Sequence, residues 1–388
     1  MSAGREAPDP RELSRRALIV GAGVATATVA GAAALTVGAS RAERADSADP
    51  SRGTAVAALG AHQAGVTRPQ VPQPHCLFVV LDLDLDGLEL SLGELGSAIR
   101  TVTDPASAPA DLLPDGPGDL TVTVGLGPGA LAATAHPELA ELLALPLFAG
   151  DAELPDDRRG GDLLLSVNAS DPTVLEPVYS WLAEHVAGAR VRWSQFGFRG
   201  TPSDGISRNP LGYHDGIIGP RDDDELQRDV WISEGPLAGG TICVARRFRL
   251  DVVRFRDLPP DARDAVIGRE QSSGAPLSGG ERDDQIDLRA KSPDGTLLVP
   301  LTAHARAAHP AFTGSPLMLR RSYGFQEGAD EVGHVFISFQ NDVATFARTQ
   351  LRLDDVDALM DFATPTATGA FAILPGMREG ADLGASLF

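Results

Sequence analysis

Apolar residues in the first half of the chain follow strand-like and helix-like spacings in turn. Short apolar runs predict strands, and stretches with apolar residues three or four positions apart predict helices. The predicted elements are a strand at 76–83, a helix at 88–100, strands at 120–124 and 162–167, a helix at 171–186 and a strand at 190–196. Their order is β-α-β-β-α-β.

The second half repeats this alternation less regularly. Its predicted elements are a strand at 240–255, a helix at 261–267, an irregular stretch at 271–301, strands at 317–325 and 332–339, a helix at 343–351 and a strand at 371–374. The repeat predicts an α+β fold of two related domains, each an antiparallel sheet with helices packed on one face.

Domain boundaries follow from these elements. We place the first domain at 75–200 and the second at 239–388, after a lead-in segment at 46–74. The connector at 201–238 is rich in Gly, Pro and Asp. Because a loop of that length is unusual in a compact protein unless it is functional, we expect functional residues there.

Residues 1–45 have the composition of a targeting segment. A polar start is followed by Arg15 and Arg16 and then by an Ala, Gly and Val run that reaches Val37. We interpret this as a twin-arginine signal peptide cleaved between Ala39 and Ala45, because its weak hydrophobicity suits a cleaved peptide better than the alternative, a membrane anchor. The mature protein is then expected to be extracellular, periplasmic or at the cell surface, with the twin-arginine export machinery as a partner.

The charge of the chain disfavours one class of partner. The 33 basic and 53 acidic residues give a formal net charge of −20, and such a field opposes binding to nucleic acid. Cys76 and Cys243 both lie in apolar runs, so we expect two buried thiols, with a single disulfide between them as the alternative.

Two segments imitate known motifs but lack required residues. The run 125–129 follows a predicted strand, yet Ala130 stands where a dinucleotide loop needs its third glycine. The run 82–87 copies half of a calcium loop, but Gly93 occupies the position of the bidentate Glu. The chain contains neither H-E-x-x-H nor G-x-S-x-G, so a zinc or serine hydrolase has no support.

Three motifs in the second half remain. They are Gly212-Tyr213-His214-Asp215-Gly216, Ala303-His304-Ala305-Arg306-Ala307-Ala308-His309-Pro310 and Leu319-Arg320-Arg321. In this order they resemble the G-x-x-D-G, A-H-x-R-x-x-[HN]-P and L-R-R motifs of the dye-decolorizing peroxidases. The resemblance implies two ferredoxin-like domains, each a four-stranded antiparallel sheet with helices on one face, that pair like a dimeric α+β barrel. It also implies one haem b per chain, bound in the second domain.

His304 resembles the axial ligand of the haem iron in that family. A peroxidase needs one imidazole on the iron, and the small alanines on either side of His304 allow a porphyrin to approach. A solvent-facing turn histidine is the alternative, and His309 and His214 are the rival ligands. Arg306, two residues away on a strand-like register, is predicted to pair with a haem propionate.

Asp215 resembles the residue that takes a proton from hydrogen peroxide and returns it to the leaving oxygen. Gly216 and Ile217 are expected to border the haem beside it, and Ile217 stands where many members of the family have Thr. Arg320 is expected at the haem as well, where it would stabilise the negative charge that develops as the O–O bond breaks. Arg321 is the competing candidate for that role.

The resemblance implies an exported haem peroxidase that reduces hydrogen peroxide and oxidises dyes or phenolic compounds in one-electron steps. An aromatic reductant is therefore an expected partner, and a homo-oligomer is compatible with the sequence. Two alternatives stay open. One is a haem-handling protein of the deferrochelatase type, which takes part in iron uptake, and the other is a non-catalytic haem-binding protein on the same fold.

Overall fold

The computed structural model describes residues 53–200, 205–328 and 331–388. The strands in this part of the chain are β1 (His75–Asp82), β2 (Thr121–Leu126), β3 (Leu163–Ala169), β4 (Arg190–Phe198), β5 (Thr241–Leu250), β6 (Leu319–Arg320), β7 (Tyr323–Glu327), β8 (Glu331–Gln340) and β9 (Ala363–Ile373). The predicted signal peptide at 1–45 lies outside the described residues.

The strands form a closed antiparallel barrel. Around it the order is β5-β9-β2-β3-β1-β4-β7-β8, and β8 pairs back with β5. The short β6 also pairs with β8. The barrel consists of two half-sheets with the same strand order, that of a ferredoxin-like sheet: β2-β3-β1-β4 and β7-β8-β5-β9. The half-sheets join where β2 pairs with β9 and where β4 pairs with β7. The predicted fold, two four-stranded antiparallel sheets that pair into a barrel, is confirmed.

Strand β1 contributes to two cores. In β1, Phe78 and Val80 pack with Trp193 in the barrel interior, whereas Val79 and Leu81 belong to the core under the helices. Successive side chains of a strand point to opposite faces, so a strand covered on both sides is apolar throughout. This explains why β1 appears in the sequence as a continuous apolar run.

Helices pack against the barrel and against one another. They are α1 (Leu88–Thr103), α2 (Pro128–Ala132), α3 (Leu175–Ala183), α4 (Asp223–Asp229), α5 (Val252–Arg256), α6 (Pro260–Ile267), α7 (His304–Ala307), α8 (Pro310–Thr313) and α9 (Val343–Val356). Helix α1 buries Leu88, Leu92 and Leu95 at the spacing of an amphipathic helix. Helix α9 contacts β5 and β8 and so covers the second half of the sheet. None of the described helices has the length and apolar character needed to cross a bilayer.

Three local predictions need correction. The strand predicted at 240–255 ends at Leu250, because the side chain of Asp251 accepts a hydrogen bond from the N–H of Arg254 at 3.0 Å and starts α5. The strand predicted at 317–325 is divided between β6 and β7. The strand-like register assumed for Arg306 is wrong, since α7 is a helical turn too short to show a hydrophobic period.

The two cysteines are buried and free, as the core prediction requires. Cys76 and Cys243 both belong to the barrel interior. Burial raises the pKa of the Cys76 thiol to about 12. Both thiols therefore act as small apolar side chains, and no disulfide joins them.

Candidate active site

A cavity of about 250 Å³ lies between the outer face of the second half-sheet and the helices α7 and α9. In the first half the equivalent face is filled by the core under α1 and α3. Much of the cavity lining is apolar and includes Ile217, Ile218, Phe248, Ile267, Phe336, Leu353, Leu359 and Met360. An apolar cavity with a few placed polar groups is typical of a cofactor site.

His304 is a polar residue on the helical wall of the cavity. Its Nδ1 atom donates a hydrogen bond to Oδ2 of Asp357 at 2.6 Å, and Oδ1 of the same carboxylate accepts from the N–H of Leu359 at 2.9 Å. An ionised carboxylate can only accept, so the ring carries a proton on Nδ1 and leaves Nε2 as the nitrogen that can bind a metal. The side chain of His304 is 37% exposed because it borders the cavity.

The charge of Asp357 controls the basicity of His304. Burial by itself lowers the pKa of His304, but the charge and the hydrogen bond of Asp357 outweigh burial and raise this pKa above its usual value. A carboxylate in this position also fixes the orientation of a metal-binding imidazole. The pair is therefore built to present a basic Nε2 atom in one orientation.

Asp215 lies on the sheet wall, in the loop that follows β4. Oδ1 of Asn209 accepts a hydrogen bond from the N–H of Tyr213 at 3.1 Å, and the N–H of Asp215 donates to the carbonyl of Ser207 at 3.0 Å. Gly216 then has a φ of +81°, a left-handed conformation that glycine adopts without strain. The loop thus fixes the backbone on both sides of the carboxylate.

Basic groups surround the Asp215 carboxylate. Nε2 of His334 lies 3.6 Å from its Oδ2 atom, and Arg320 and Arg199 are close enough to act on its charge. Burial alone raises the pKa of Asp215, yet these basic groups, together with His304, bring the pKa below its usual value. Asp215 is therefore ionised at neutral pH and able to accept a proton.

Most of the residues predicted from the sequence meet in this cavity. Those that line it are Asp215, Gly216, Ile217, His304 and Arg320. Arg306 is not among the lining residues, since its Nη1 donates to the carbonyl of Leu288 at 3.0 Å and its guanidinium lies over the ring of Phe312. Arg269 borders the cavity instead, and its Nη1 donates to the carbonyl of Gly274 at 2.9 Å.

The competing candidates occupy different positions. Arg321 is buried away from the cavity, where its Nη2 donates to the carbonyl of Pro69 at 2.6 Å. His309 lines the cavity, but its Nδ1 accepts from the N–H of Ala311 at 3.1 Å and caps α8. His214 also lines the cavity and lies beside Asp215 in the same loop.

Three residues of the site were not predicted: Asp357, His334 and Arg269. Asp357 is 53 residues away from its partner in sequence and belongs to none of the motifs. His334 had a detectable signal, because the two-residue period of its strand places it on the same face as Phe336. Arg269 follows α6 in a segment with no distinctive pattern.

The two walls fit a haem group. The donor set on the helical wall is a single imidazole whose proton is held by a carboxylate, as in histidine ligation of haem iron. The sheet wall carries an ionised carboxylate and a guanidinium, and the space between the walls is apolar. Fold and site together define a haem enzyme on a double ferredoxin-like barrel.

Comparisons with known proteins assign the family. The profiles described as Dyp-type peroxidase, N-terminal and C-terminal, match residues 63–199 and 206–378. A dye-decolorizing peroxidase of Thermobifida fusca is 36% identical over an alignment of 304 positions, which covers 72% of this chain and 69% of that protein. A deferrochelatase of Yersinia pestis bv. Antiqua is 30% identical over an alignment of 416 positions, which covers 94% of this chain and 92% of that protein.

Solved structures agree with this assignment. An oxyferrous complex of DtpA from Streptomyces lividans matches with a TM-score of 0.81 and 31% identity, over 88% of this chain and 100% of that one. A DyP-type peroxidase from Cellulomonas bogoriensis matches with a TM-score of 0.78 and 32% identity, over 87% and 99% of the two chains. The chain belongs to the Dyp-type peroxidase family. It is a peroxidase, and haem is its cofactor.

Proposed function

We propose that this protein reduces hydrogen peroxide and oxidises dyes or phenolic compounds in one-electron steps. His304 would bind the haem iron, Asp215 would move the proton, and Arg320 would stabilise negative charge. The observation that carries the proposal is the placement of two polar groups on facing walls of the cavity. The Nε2 atom of His304 is left free on one wall by Asp357, and an ionised Asp215 lies among cationic groups on the other.

The chemistry follows from the residues on the sheet wall. When bound at His304, haem supplies the iron and the conjugated ring that store the two oxidising equivalents of hydrogen peroxide. Asp215 accepts a proton from one peroxide oxygen and delivers it to the other, which leaves as water. Arg320 stabilises the negative charge on the leaving oxygen while the O–O bond breaks. One H₂O₂ and two reductant molecules AH give two waters and two radicals A•.

A shallow depression beside the cavity supports access for an aromatic reductant. It shares Gln285, His309 and Leu317 with the cavity and is bordered outside by Arg228 and Asp229. The guanidinium of Arg228 is held by the Asp229 carboxylate at 2.8 Å and 2.9 Å. A reductant bound there would lie beside the cavity.

Steady-state turnover tests the proposal. The haem-loaded protein is mixed with hydrogen peroxide and either an anthraquinone dye or guaiacol, and the change in absorbance of the reductant is followed. Asp215→Asn should lower turnover by a factor of about 10² to 10⁴, the usual contribution of a positioned proton-transfer group. Asp257→Asn, the same change at an exposed aspartate that does not line the cavity, is the control.

Removal of iron from haem is the alternative function, and relatives named deferrochelatase favour it. The same reaction mixtures distinguish the two. Oxidation of the reductant with intact haem supports the peroxidase. Release of iron and of metal-free porphyrin, without oxidation of dye or phenol, would support the deferrochelatase function instead.

Export by the twin-arginine route is part of the proposal. Its support is the Arg15-Arg16 pair followed by the Ala- and Gly-rich run of the N-terminal segment. Because that route carries folded proteins, haem would be inserted before the protein crosses the membrane. The predicted location is extracellular, periplasmic or at the cell surface.

A further inference from the structure

His334 is a cavity residue with no role in the function proposed so far. It lies on β8, where its partners in the neighbouring strands are Gly324 of β7 and Phe248 of β5. A Cβ atom at Gly324 would lie 3.0 Å from Cγ of Pro210. The missing side chain thus leaves room for the loop that carries Asp215 to lie against the sheet next to His334.

The surroundings of the His334 ring favour one partner. Its Nε2 atom lies 3.6 Å from Oδ2 of Asp215, and the two side chains are only 16% and 20% exposed. Its Nδ1 atom is buried and has no hydrogen-bond partner among the described residues. A proton on Nδ1 would therefore be a buried donor without an acceptor, whereas a proton on Nε2 points to a carboxylate. The favoured neutral form carries its proton on Nε2.

The charges around His334 come from several elements of the cavity. They are Asp215 in the loop, Arg320 on β6, Arg199 after β4 and His304 on α7, with Arg269 elsewhere in the lining. Burial lowers the pKa of His334, Asp215 raises it, and the cationic groups add to the lowering, so that this pKa lies below its usual value. His334 is then neutral at pH 7 and becomes an imidazolium in acid.

We propose that His334 is a positioning residue for Asp215. The histidine holds one oxygen of the Asp215 carboxylate and keeps that carboxylate ionised in acid. The neutral ring donates from Nε2 to Oδ2 and leaves Oδ1 to receive the proton of the incoming ligand. The contact of 3.6 Å has to shorten slightly for this bond, as is common when a ligand enters a site. In acid, Nδ1 takes a second proton, and the imidazolium opposes protonation of Asp215. The proposal rests on the peroxidase function above.

Cyanide binding to the ferric, haem-loaded protein gives a readout other than activity. Hydrogen cyanide binds as the anion and must pass its proton to a base in the cavity, so its affinity falls at a pH where Asp215 is already protonated. His334→Leu should move that midpoint upward by about one pH unit, a tenfold change in proton affinity. His334→Gln, which keeps a donor at a similar place, should show a smaller upward shift.

One control variant and one fallback variant make the result decisive. His136→Gln changes a partly exposed histidine that is not among the cavity residues and should leave the midpoint where it is. If the leucine variant does not fold, the glutamine variant alone decides, and a midpoint equal to that of wild type overturns the proposal. A cyanide affinity that is lower at every pH, with an unchanged pH midpoint, also overturns the proposal. That result would mean that His334 only fills space in the cavity. A wild-type protein that binds cyanide but turns over no peroxide would instead count against the proposed function.

Discussion

The Nδ1 atom of His304 lies 2.6 Å from Oδ2 of Asp357, and the Asp357 side chain is completely buried. Since the other oxygen of this carboxylate is held by the N–H of Leu359, the acceptor cannot turn away. The carboxylate therefore gives the imidazole anionic character, which increases the electron density that Nε2 donates to a metal.

Asp357→Asn keeps an acceptor beside His304 but removes the negative charge. We expect the reduction potential of the haem iron to rise and haem to be held about 10- to 100-fold less tightly, the usual effect of losing such a partner. Potentiometric titration and the transfer of haem to an acceptor protein measure these two effects. Asp361→Asn, at an exposed position on the same segment, is the control. An unchanged potential would contradict the role given to Asp357.

The reaction with peroxide should depend on the ionisation of Asp215. Its pKa is below the usual aspartate value despite burial, so the fast reaction should persist above that pKa and be lost as the pH falls through it. Asp215→Asn should slow the step about 10²- to 10⁴-fold and remove this acid limb. Stopped-flow absorbance from pH 3 to pH 7 measures both. If the variant reacts at the wild-type rate, another group moves the proton.

Substitutions of Arg320 and Arg321 should have different effects, although the two residues are neighbours in the sequence. Arg320→Leu should slow the reaction with peroxide about 10²- to 10³-fold with little loss of stability, because its guanidinium faces the cavity. Arg321→Leu should keep the rate but change the thermal midpoint, because Arg321 is buried against the carbonyl of Pro69. The same stopped-flow assay and thermal unfolding compare the two. A slow Arg321→Leu variant with unchanged stability would reverse the assignment.

The apolar pattern predicted the double α+β repeat because the strands, apart from the two-residue β6, are long enough to appear as apolar segments in the sequence. The elements that were missed are local. The side chain of Asp251 ends β5 because it caps the next helix, and this boundary depends on a single hydrogen bond. Helix α7 has too few residues for a period, and Arg306 was therefore placed on the wrong register.

The motifs predicted the cavity residues that lie within them, such as Asp215, His304 and Arg320. They could not predict Asp357, because its link to His304 exists only after α9 has packed beside α7. Arg269 is a similar case, since tertiary packing alone brings it to the cavity. Sequence patterns thus define the elements, whereas contacts between distant elements decide which polar groups meet.

Export should require the arginine pair near the N-terminus. Exchange of both Arg15 and Arg16 for Lys keeps the charge but removes the guanidinium groups that the export receptor recognises. We expect the double variant to accumulate in the cytoplasm with its haem bound, while wild type leaves the cell interior. Fractionation with an antibody and the absorbance spectrum of each fraction measure this. Normal export of the double variant would point to another route.

Haem binding by His304→Gly tests most directly whether His304 is the residue that holds the cofactor. We expect a folded protein, as judged by circular dichroism, that retains little haem after purification, and we expect added imidazole to restore binding because it can occupy the vacated space. His136→Gly, at a partly exposed histidine that does not line the cavity, should retain the wild-type haem content and absorbance spectrum. Full haem retention by His304→Gly, with an unchanged spectrum and no response to imidazole, would contradict the assignment and transfer the ligand role to His309 or His214.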